Sequence, residues 1–303
     1  MKKLIETADE SARAAHTESI SHSLKARKIN IDHFSSKIKQ FGQCRFYSGA
    51  RWESAQFAEV ASHLETQAIF EWIPLSKSFR VLDIGAGGGR WSLALANTVE
   101  SITAIEPSDA FETLRERLSG FKNARCVKEP FEEFLDDKPY DLIIISGVLM
   151  YILEPHHLKK FLSKVAGMLK DSGYLVLREP VVARGERIKM GQVYKKSWSQ
   201  AELDKCNYLE IIRPKISYTS ICRSLGLQTV ALFASHAPII KESKFRLKFI
   251  RNLHDRANER FVCMGNIRYL IIAHRLLRKP YLWLGMLSNK QTMTILIFRK
   301  HKD

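Results

Sequence analysis

The sequence has no Cys-x-x-Cys pair. Its five cysteines, Cys44, Cys126, Cys206, Cys222 and Cys263, are scattered, which argues against both a zinc ribbon and a paired disulfide framework. No apolar run approaches the ~18 residues that would cross a bilayer. Met1 to Glu10 is polar and charged, with no apolar core of the kind a secretory leader carries, so a cytoplasmic location is expected. With 9 prolines and 15 glycines in 303 residues, the chain lacks the composition of a disordered or linker-rich protein. There is no internal repeat, no low-complexity tract and no cluster with metal-ligand spacing, so no metal site is expected.

Acidic residues are scarce in one part of the chain only. The net charge of +16 comes from 48 basic and 32 acidic residues. Residues 1–183 hold 24 of each, whereas 184–303 hold 24 basic and 8 acidic, so the whole excess is C-terminal. A neutral front part and a basic rear part suit a partner that is negative: an acidic or lipid-linked substrate, an anionic membrane face, or nucleic acid as the second-ranked choice.

Between residues 52 and 72 the apolar positions Phe57, Val60, Ala61, Leu64, Ala68, Ile69 and Trp72 recur at three- and four-residue steps, predicting an amphipathic helix that Pro74 ends. Short apolar runs then alternate with helical patterns. Strands are predicted at 80–84, 101–106, 124–127, 140–146, 174–177, 228–234 and 292–298, with helices at 89–97, 109–118, 155–169 and 214–225. Parallel strands need crossover connections, so this alternation predicts an α/β fold, a doubly wound seven-stranded Rossmann-like sheet with helices on both faces. The expected organisation is an N-terminal helical arm or cap (1–60), a core (61–235) with a cap insertion at 181–213, a basic helical insertion (236–291), and a final core strand with a tail (292–303).

The strongest signal is Val81-Leu82-Asp83-Ile84-Gly85-Ala86-Gly87-Gly88-Gly89. A strand runs into a turn whose glycines let the backbone approach a ligand, and the next helix offers free N–H groups. Glu106 ends the following strand, where an acid can accept hydrogen bonds from a ribose diol. A nicotinamide site spaces its glycines to seat a pyrophosphate. Here the pattern is Asp-x-Gly-x-Gly-x-Gly, with an acid before the first glycine.

That pattern resembles the class I S-adenosylmethionine-dependent methyltransferases. Ile105-Glu106-Pro107-Ser108 looks like the family's second motif, Glu129-Pro130-Phe131-Glu132-Glu133-Phe134 occupies its adenine segment, and Tyr140 to Ser146 looks like its fourth strand. The likeness covers about residues 78–235 and the last strand. It implies S-adenosyl-L-methionine as cofactor, with Asp83, Gly85, Ala86, Gly87 and Gly89 around the methionine moiety and Glu106 on the ribose. Pro107 or Ser108 would lie beside the adenine, and Ser146 and Gly147 near the sulfonium. Where many members place Asp or Asn against the adenine, this chain has Pro130 or Phe131. A backbone contact at Phe131 and a stacking side chain would replace that carboxylate.

Methyl transfer from a sulfonium is an in-line displacement governed by positioning, and a hydroxyl acceptor also needs a base. Glu179, at the C-terminal sheet edge, is the first candidate; His156 and His157 follow. Tyr47, Trp52, Tyr151, Tyr194 and Trp198 are aromatic residues near segments that could roof the pocket, although aromatics more often pack a core. The stretch 146–151, then Leu177-Arg178-Glu179-Pro180, then Tyr208 and Arg213, is loosely similar to methyltransferases of glycan and polysaccharide synthesis. The expected acceptor is therefore a hydroxyl of a glycan or lipid-linked saccharide, handled at the cytoplasmic membrane face through 236–291. RNA and an amine or protein substrate are the alternatives, and a catalytically silent cofactor-binding or partner protein is a third reading.

Overall fold

The computed structural model describes residues 28–32, 35–36, 55–191, 193–195, 200–206, 208–235, 275–276, 279, 283 and 291–301. Helix α1 (Ala55–Phe70) leads into β1 (Arg80–Ile84), α2 (Arg90–Leu95), β2 (Ser101–Ile105), α3 (Ala110–Leu118), β3 (Ala124–Val127) and β4 (Tyr140–Ser146). A 3-10 turn (Leu149–Tyr151), α4 (Pro155–Met168) and β5 (Leu169–Val182) follow. Next come β6 (Arg187–Met190), β7 (Val193–Lys195), α5 (Gln200–Lys205), β8 (Leu209–Pro214), α6 (Lys215–Ser224), β9 (Leu227–Ala234) and β10 (Thr292–Lys300).

Seven strands form the core sheet in the order β3-β2-β1-β4-β5-β10-β9. The first five are parallel, and β10 runs antiparallel between β5 and β9. The side chains alternate strictly between two buried faces, as the two-residue period of a strand requires. Leu82, Ile143, Ile145, Leu175, Leu177, Leu296 and Phe298 join Leu158, Phe161 and Leu162 of α4 and Tyr218 and Cys222 of α6. Val81, Leu142, Ile144, Val176, Ile295 and Ile297 join Ala68 and Ile69 of α1 and Trp91 and Leu95 of α2 on the other side. Each fully buried aliphatic side chain contributes about 1.5–3 kcal/mol.

Two expectations are corrected. The boundary at residue 60 falls inside α1, one continuous helix whose Leu64, Ala68 and Ile69 are buried in the core region. The stretch 181–213 is also more than a cap appended to a seven-stranded sheet. Strand β5 overshoots its neighbours, and Val181 and Val182 pair with Arg213 and Pro214 of β8, so the antiparallel ladder β8-β6-β7 extends the sheet to ten strands. Leu153, Ile188, Met190, Leu209 and Ile211 close a small core there, with Ile29 of the arm packed against it.

Most of the basic insertion, 236–291, lies outside the described residues. Positions 275–276, 279 and 283 are helical; Arg275 pairs with Glu71 at 3.6 Å, and the Lys279 ammonium sits 5.7 Å from the Trp72 ring centre. Among the described residues no helix is long and apolar enough to cross a membrane.

Candidate functional site

Ligands of open α/β sheets bind at the C-terminal strand edges, and there the glycine loop turns from β1 into α2. Gly85, Gly87 and Gly89 have φ of +70°, +55° and +83°, a left-handed backbone that side chains with a Cβ rarely adopt. The Gly85 and Ala86 amides both donate to the Ile105 carbonyl at 2.9 Å, which ties the loop to the end of β2. A Cβ on Gly85 would lie 2.4 Å from Val148 Cγ2, so the loop also abuts the segment that follows β4.

Glu106 lies one residue beyond β2 and is buried. One carboxylate oxygen accepts the Gly87 N–H at 2.8 Å, and the other accepts the Ser108 N–H at 2.8 Å and the Ser108 hydroxyl. The ribose candidate, the loop glycine and Ser108 are therefore one hydrogen-bonded unit, with Pro107 partly exposed between them.

At Phe131 a backbone contact is expected; its side chain is buried against Phe161, with ring centres 4.7 Å apart, so the stacking partner would be another residue. Lys164 of α4 fixes this segment by donating to the carbonyls of Phe131, Glu132 and Phe134 at 2.8, 2.9 and 2.6 Å. Pro130 remains partly exposed beside it.

Beneath the loop lies a buried ionic cluster. Asp83, at the end of β1, accepts the Ser92 hydroxyl at 2.7 Å, and burial pushes its carboxyl up to about 6. Glu65 of α1, which the sequence reading missed, pairs with Arg90 of α2 and with Arg178 of β5 at 3.0 Å, and accepts the Ser235 hydroxyl. Burial lowers Arg90 to about 10, with Glu65 opposing the shift.

Glu179 is fully buried in β5 and does not fit the role of general base. One of its oxygens accepts the N–H groups of Val148 and Leu149 at 2.9 and 3.0 Å, and the other accepts Met150 N–H at 3.3 Å. With both oxygens engaged on backbone and no exposed surface, it holds the turn rather than reaching an acceptor. Burial pushes it up to about 7 against the pull of those hydrogen bonds and of Arg178. Ser146 and Gly147 (φ +69°) lead into this turn, and Gly147 N–H donates to the Arg178 carbonyl at 2.9 Å. Arg213 of β8, also buried, donates to the carbonyls of Leu149, Ile152 and Leu153 at 3.3, 2.7 and 2.7 Å.

At the end of that turn Tyr151 meets the ladder after β5. Its hydroxyl is 3.4 Å from that of Tyr208, which donates to Glu210; Lys189 pairs with Glu210 at 3.4 Å. Burial, with Tyr208 and Glu210 adding to it, keeps Tyr151 a neutral phenol well above its ordinary range. The arm reaches the same place. The Asn30 amide donates to the Leu209 carbonyl at 2.7 Å and accepts the Leu209 N–H at 3.0 Å, and Ser35 accepts Asp109 N–H at 3.2 Å. The rings of His156 and His157 lie 3.9 Å apart, tilted by 46°, in the first turn of α4, with His156 exposed. Tyr47, Trp52, Tyr194 and Trp198 lie outside the residues whose side chains are described.

Two buried atoms here have no partner: Asp83 Oδ1, an acceptor, and Arg90 Nε, a donor. An α-amino acid group carries an ammonium and a carboxylate, so in kind and charge it matches this pair. Among the described residues no group of His, Cys, Asp and Glu is arranged for a metal.

Residues 81–173 match the family described as a methyltransferase domain. Over 119 residues the chain is 28% identical to a phosphoethanolamine N-methyltransferase of Triticum aestivum, a match covering 38% of this chain and 23% of that protein. The curated relatives it matches are spanned over only 1% to 24% of their own length. A Galdieria sulphuraria structure described as a sarcosine dimethylglycine methyltransferase superposes with a TM-score of 0.54 at 18% identity, covering 89% of this chain and 98% of that one. The N-methyltransferase NodS of Bradyrhizobium japonicum, crystallised with S-adenosylhomocysteine, gives 0.50 at 13% identity, covering 89% and 100%. These superpositions show a shared Rossmann-like fold, in which an antiparallel strand lies inserted beside β5, and the segment 81–173 lies within it.

Proposed function

We propose that this chain is an S-adenosylmethionine-dependent methyltransferase acting on a hydroxyl group of a glycan or lipid-linked saccharide. The observation that carries the cofactor assignment is the Glu106 carboxylate, bonded to the Gly87 amide at the mouth of the glycine loop. Asp83 and Arg90 would hold the amino-acid end, Glu106 the ribose hydroxyls, and Pro107, Ser108, Pro130 and the backbone at Phe131 the adenine. Ser146 and Gly147 would lie toward the sulfonium. When bound, the cofactor supplies an electrophilic methyl group.

A hydroxyl keeps its proton at neutral pH, so a route for that proton is needed. The Tyr151–Tyr208–Glu210 chain offers one: phenol to phenol to carboxylate, with Lys189 beside the last group. An amine acceptor is the second reading, favoured by the match to the wheat phosphoethanolamine N-methyltransferase. Contact of 236–291 with an anionic membrane face rests on its basic composition, as does the weaker case for RNA.

The test is calorimetric titration with S-adenosylmethionine, S-adenosylhomocysteine and NADH. Saturable binding of the first two and none of the third supports the reading, and binding of NADH alone overturns it. Glycans, lipid-linked saccharides, phosphoethanolamine and RNA are then assayed with labelled cofactor. Cofactor binding without turnover on any of them would favour the silent-protein reading.

A further inference from the structure

Strand β8 carries Tyr208 and Glu210, and the residue between them is gripped from outside the sheet. Leu209 stands opposite Met190 in the β6–β8 ladder, and its neighbour Tyr208 accepts the Gly191 N–H at 2.8 Å. Antiparallel bonding alternates along a strand, so the N–H and carbonyl of Leu209 turn away from β6 toward the other edge. Strand β5 meets β8 only at Arg213 and Pro214, and among the described residues no strand runs beside Leu209 on that edge. One side chain fills the gap. The Asn30 carboxamide, 3% exposed, donates to the Leu209 carbonyl at 2.7 Å and accepts the Leu209 N–H at 3.0 Å. A carboxamide carries the donor and acceptor of a peptide group, so Asn30 takes the place of a missing strand.

Successive side chains leave a strand on opposite faces. Leu209 and Ile211 enter the small core with Leu153, Ile188 and Met190, and Ile29 packs against it. Tyr208 and Glu210 therefore point to the other face, where Lys189 stands directly across from Glu210. There Tyr208 donates to the Glu210 carboxylate, and Lys189 Nζ lies 3.4 Å from that carboxylate and 5.0 Å from the Tyr208 ring centre. Tyr208 has one hydroxyl proton and gives it to Glu210. Across the 3.4 Å contact between the two hydroxyls Tyr151 is then the donor, and the chain of bonds has a single direction, from Tyr151 to Glu210.

We propose that Asn30 is a positioning residue for methyl transfer: by holding Leu209 it keeps Tyr208 and Glu210 in line with Tyr151. This rests on the proton route given under the proposed function. The acceptor oxygen bonds to the methyl carbon while sulfur keeps the electron pair of the bond that breaks. The acceptor's proton passes to Tyr151 as Tyr151's own passes to Tyr208 and that of Tyr208 to Glu210, which ends as a neutral acid. One positive and one negative charge vanish together, so the step balances. Asn30, Lys189, Tyr208 and Glu210 lie outside the matched segment 81–173, and Tyr151 lies within it. The arm and the ladder thus supply what the matched segment lacks. The ordinary alternative is an asparagine that only ties the arm down, and its loss would leave the Tyr208 hydroxyl bonded as before.

The experiment follows isotope-labelled tyrosine Cζ carbons by NMR in the full chain, with Tyr151→Phe and Tyr208→Phe identifying the two signals. It compares Glu210→Gln with Asn30→Leu, whose side chain is of similar size but neither donates nor accepts. Glu210→Gln should move the Tyr208 signal toward that of a phenol in water, and Asn30→Leu should move it the same way. Affinity for S-adenosylhomocysteine should stay within about twofold, because Asn30 touches no group assigned to the cofactor. With labelled S-adenosylmethionine and the acceptors named above, Asn30→Leu should lower kcat about tenfold at an unchanged KM for the cofactor, part of the roughly hundredfold that a general base supplies. A Tyr208 signal that follows Glu210→Gln and ignores Asn30→Leu overturns the proposal and leaves the proton route standing. A loss of cofactor affinity as large as the loss of kcat also overturns it. A signal that ignores Glu210→Gln removes the route and the proposal together. If Asn30→Leu does not fold, Asn30→Asp, which still accepts the Leu209 N–H, is read in the same way with a smaller shift expected.

Discussion

Glu179 and Arg213 grip one turn from opposite sides. The carboxylate takes the N–H groups at its start, Val148 to Met150, and the guanidinium takes carbonyls of Leu149, Ile152 and Leu153. Both side chains are at most 1% exposed, so neither bond competes with water. The turn that presents Tyr151 is therefore held by charge-assisted hydrogen bonds, which are about twice as strong as neutral ones.

Arg213→Met should destabilise the fold by about 3 kcal/mol, because it leaves buried carbonyls without a donor. Urea unfolding measures this. Affinity for S-adenosylhomocysteine should change by far less than the stability does, since Arg213 touches the acceptor-side turn and not the glycine loop. A larger loss of affinity than of stability would contradict the division.

The pH dependence of folding follows from Asp83 and Glu179, held at about 6 and about 7 against ordinary values of 3.8 and 4.5. Native carboxyls with raised values bind more protons than their unfolded forms. Their contribution to stability is thus full below about pH 4 and is lost as pH rises through 6 and 7. For Glu179 the whole effect is about 3 kcal/mol. Unfolding free energy of the ligand-free chain should fall from about pH 5 to 8, and Glu179→Gln should flatten the slope. An unchanged slope in that variant would remove Glu179 as its source.

Glu106→Ala should weaken S-adenosylhomocysteine binding by about 1.5–3 kcal/mol per charged hydrogen bond lost, or roughly ten- to a hundredfold. The variant also frees the Gly87 amide, so hydrogen exchange at Gly87 should accelerate. Calorimetry with wild-type affinity would sink the ribose assignment.

Asn30→Ala removes both bonds between the arm and the Leu209 backbone. The expected cost is about 2 kcal/mol. It should be read locally, as faster hydrogen exchange at Leu209 and quicker proteolysis near residue 30, with the exchange of β1 and β4 unaltered. Faster exchange at β1 together with Leu209 would mean that the arm belongs to the same cooperative unit.

The core sheet was legible because strands buried on both faces read as short continuous apolar runs: β1, β2, β3 and β4 fall where those runs stand. Strand β5 is longer than its apolar centre, since β4 supplies a partner for Leu169 and β10 and β8 supply partners for Tyr174 to Val182 that hydrophobicity does not announce. The β6–β7 pair did leave a trace. Ile188 and Met190 alternate with Arg187 and Lys189 before Gly191, whose φ of +57° makes the turn, but the density of charge masked the pattern. Glu65 left none: it stands on the inner face of an apolar helix, and its partner Arg178 is 113 positions away. Glu179 was found by position and misread in role, because nothing in the sequence tells that three amides from another strand's end converge on it.

Strand β10 occupies an interior place in the sheet, yet it comes after residues 236–291 in the chain. During synthesis β5 and β9 must wait side by side with open edges until that long segment has left the ribosome. Unpaired edges are where chains associate wrongly. The slot is filled by Thr292 to Lys300, which pairs with both neighbours and is the last of the three to be synthesised. A product truncated before residue 292 would keep every residue of the glycine loop and still present two raw strand edges to its neighbours.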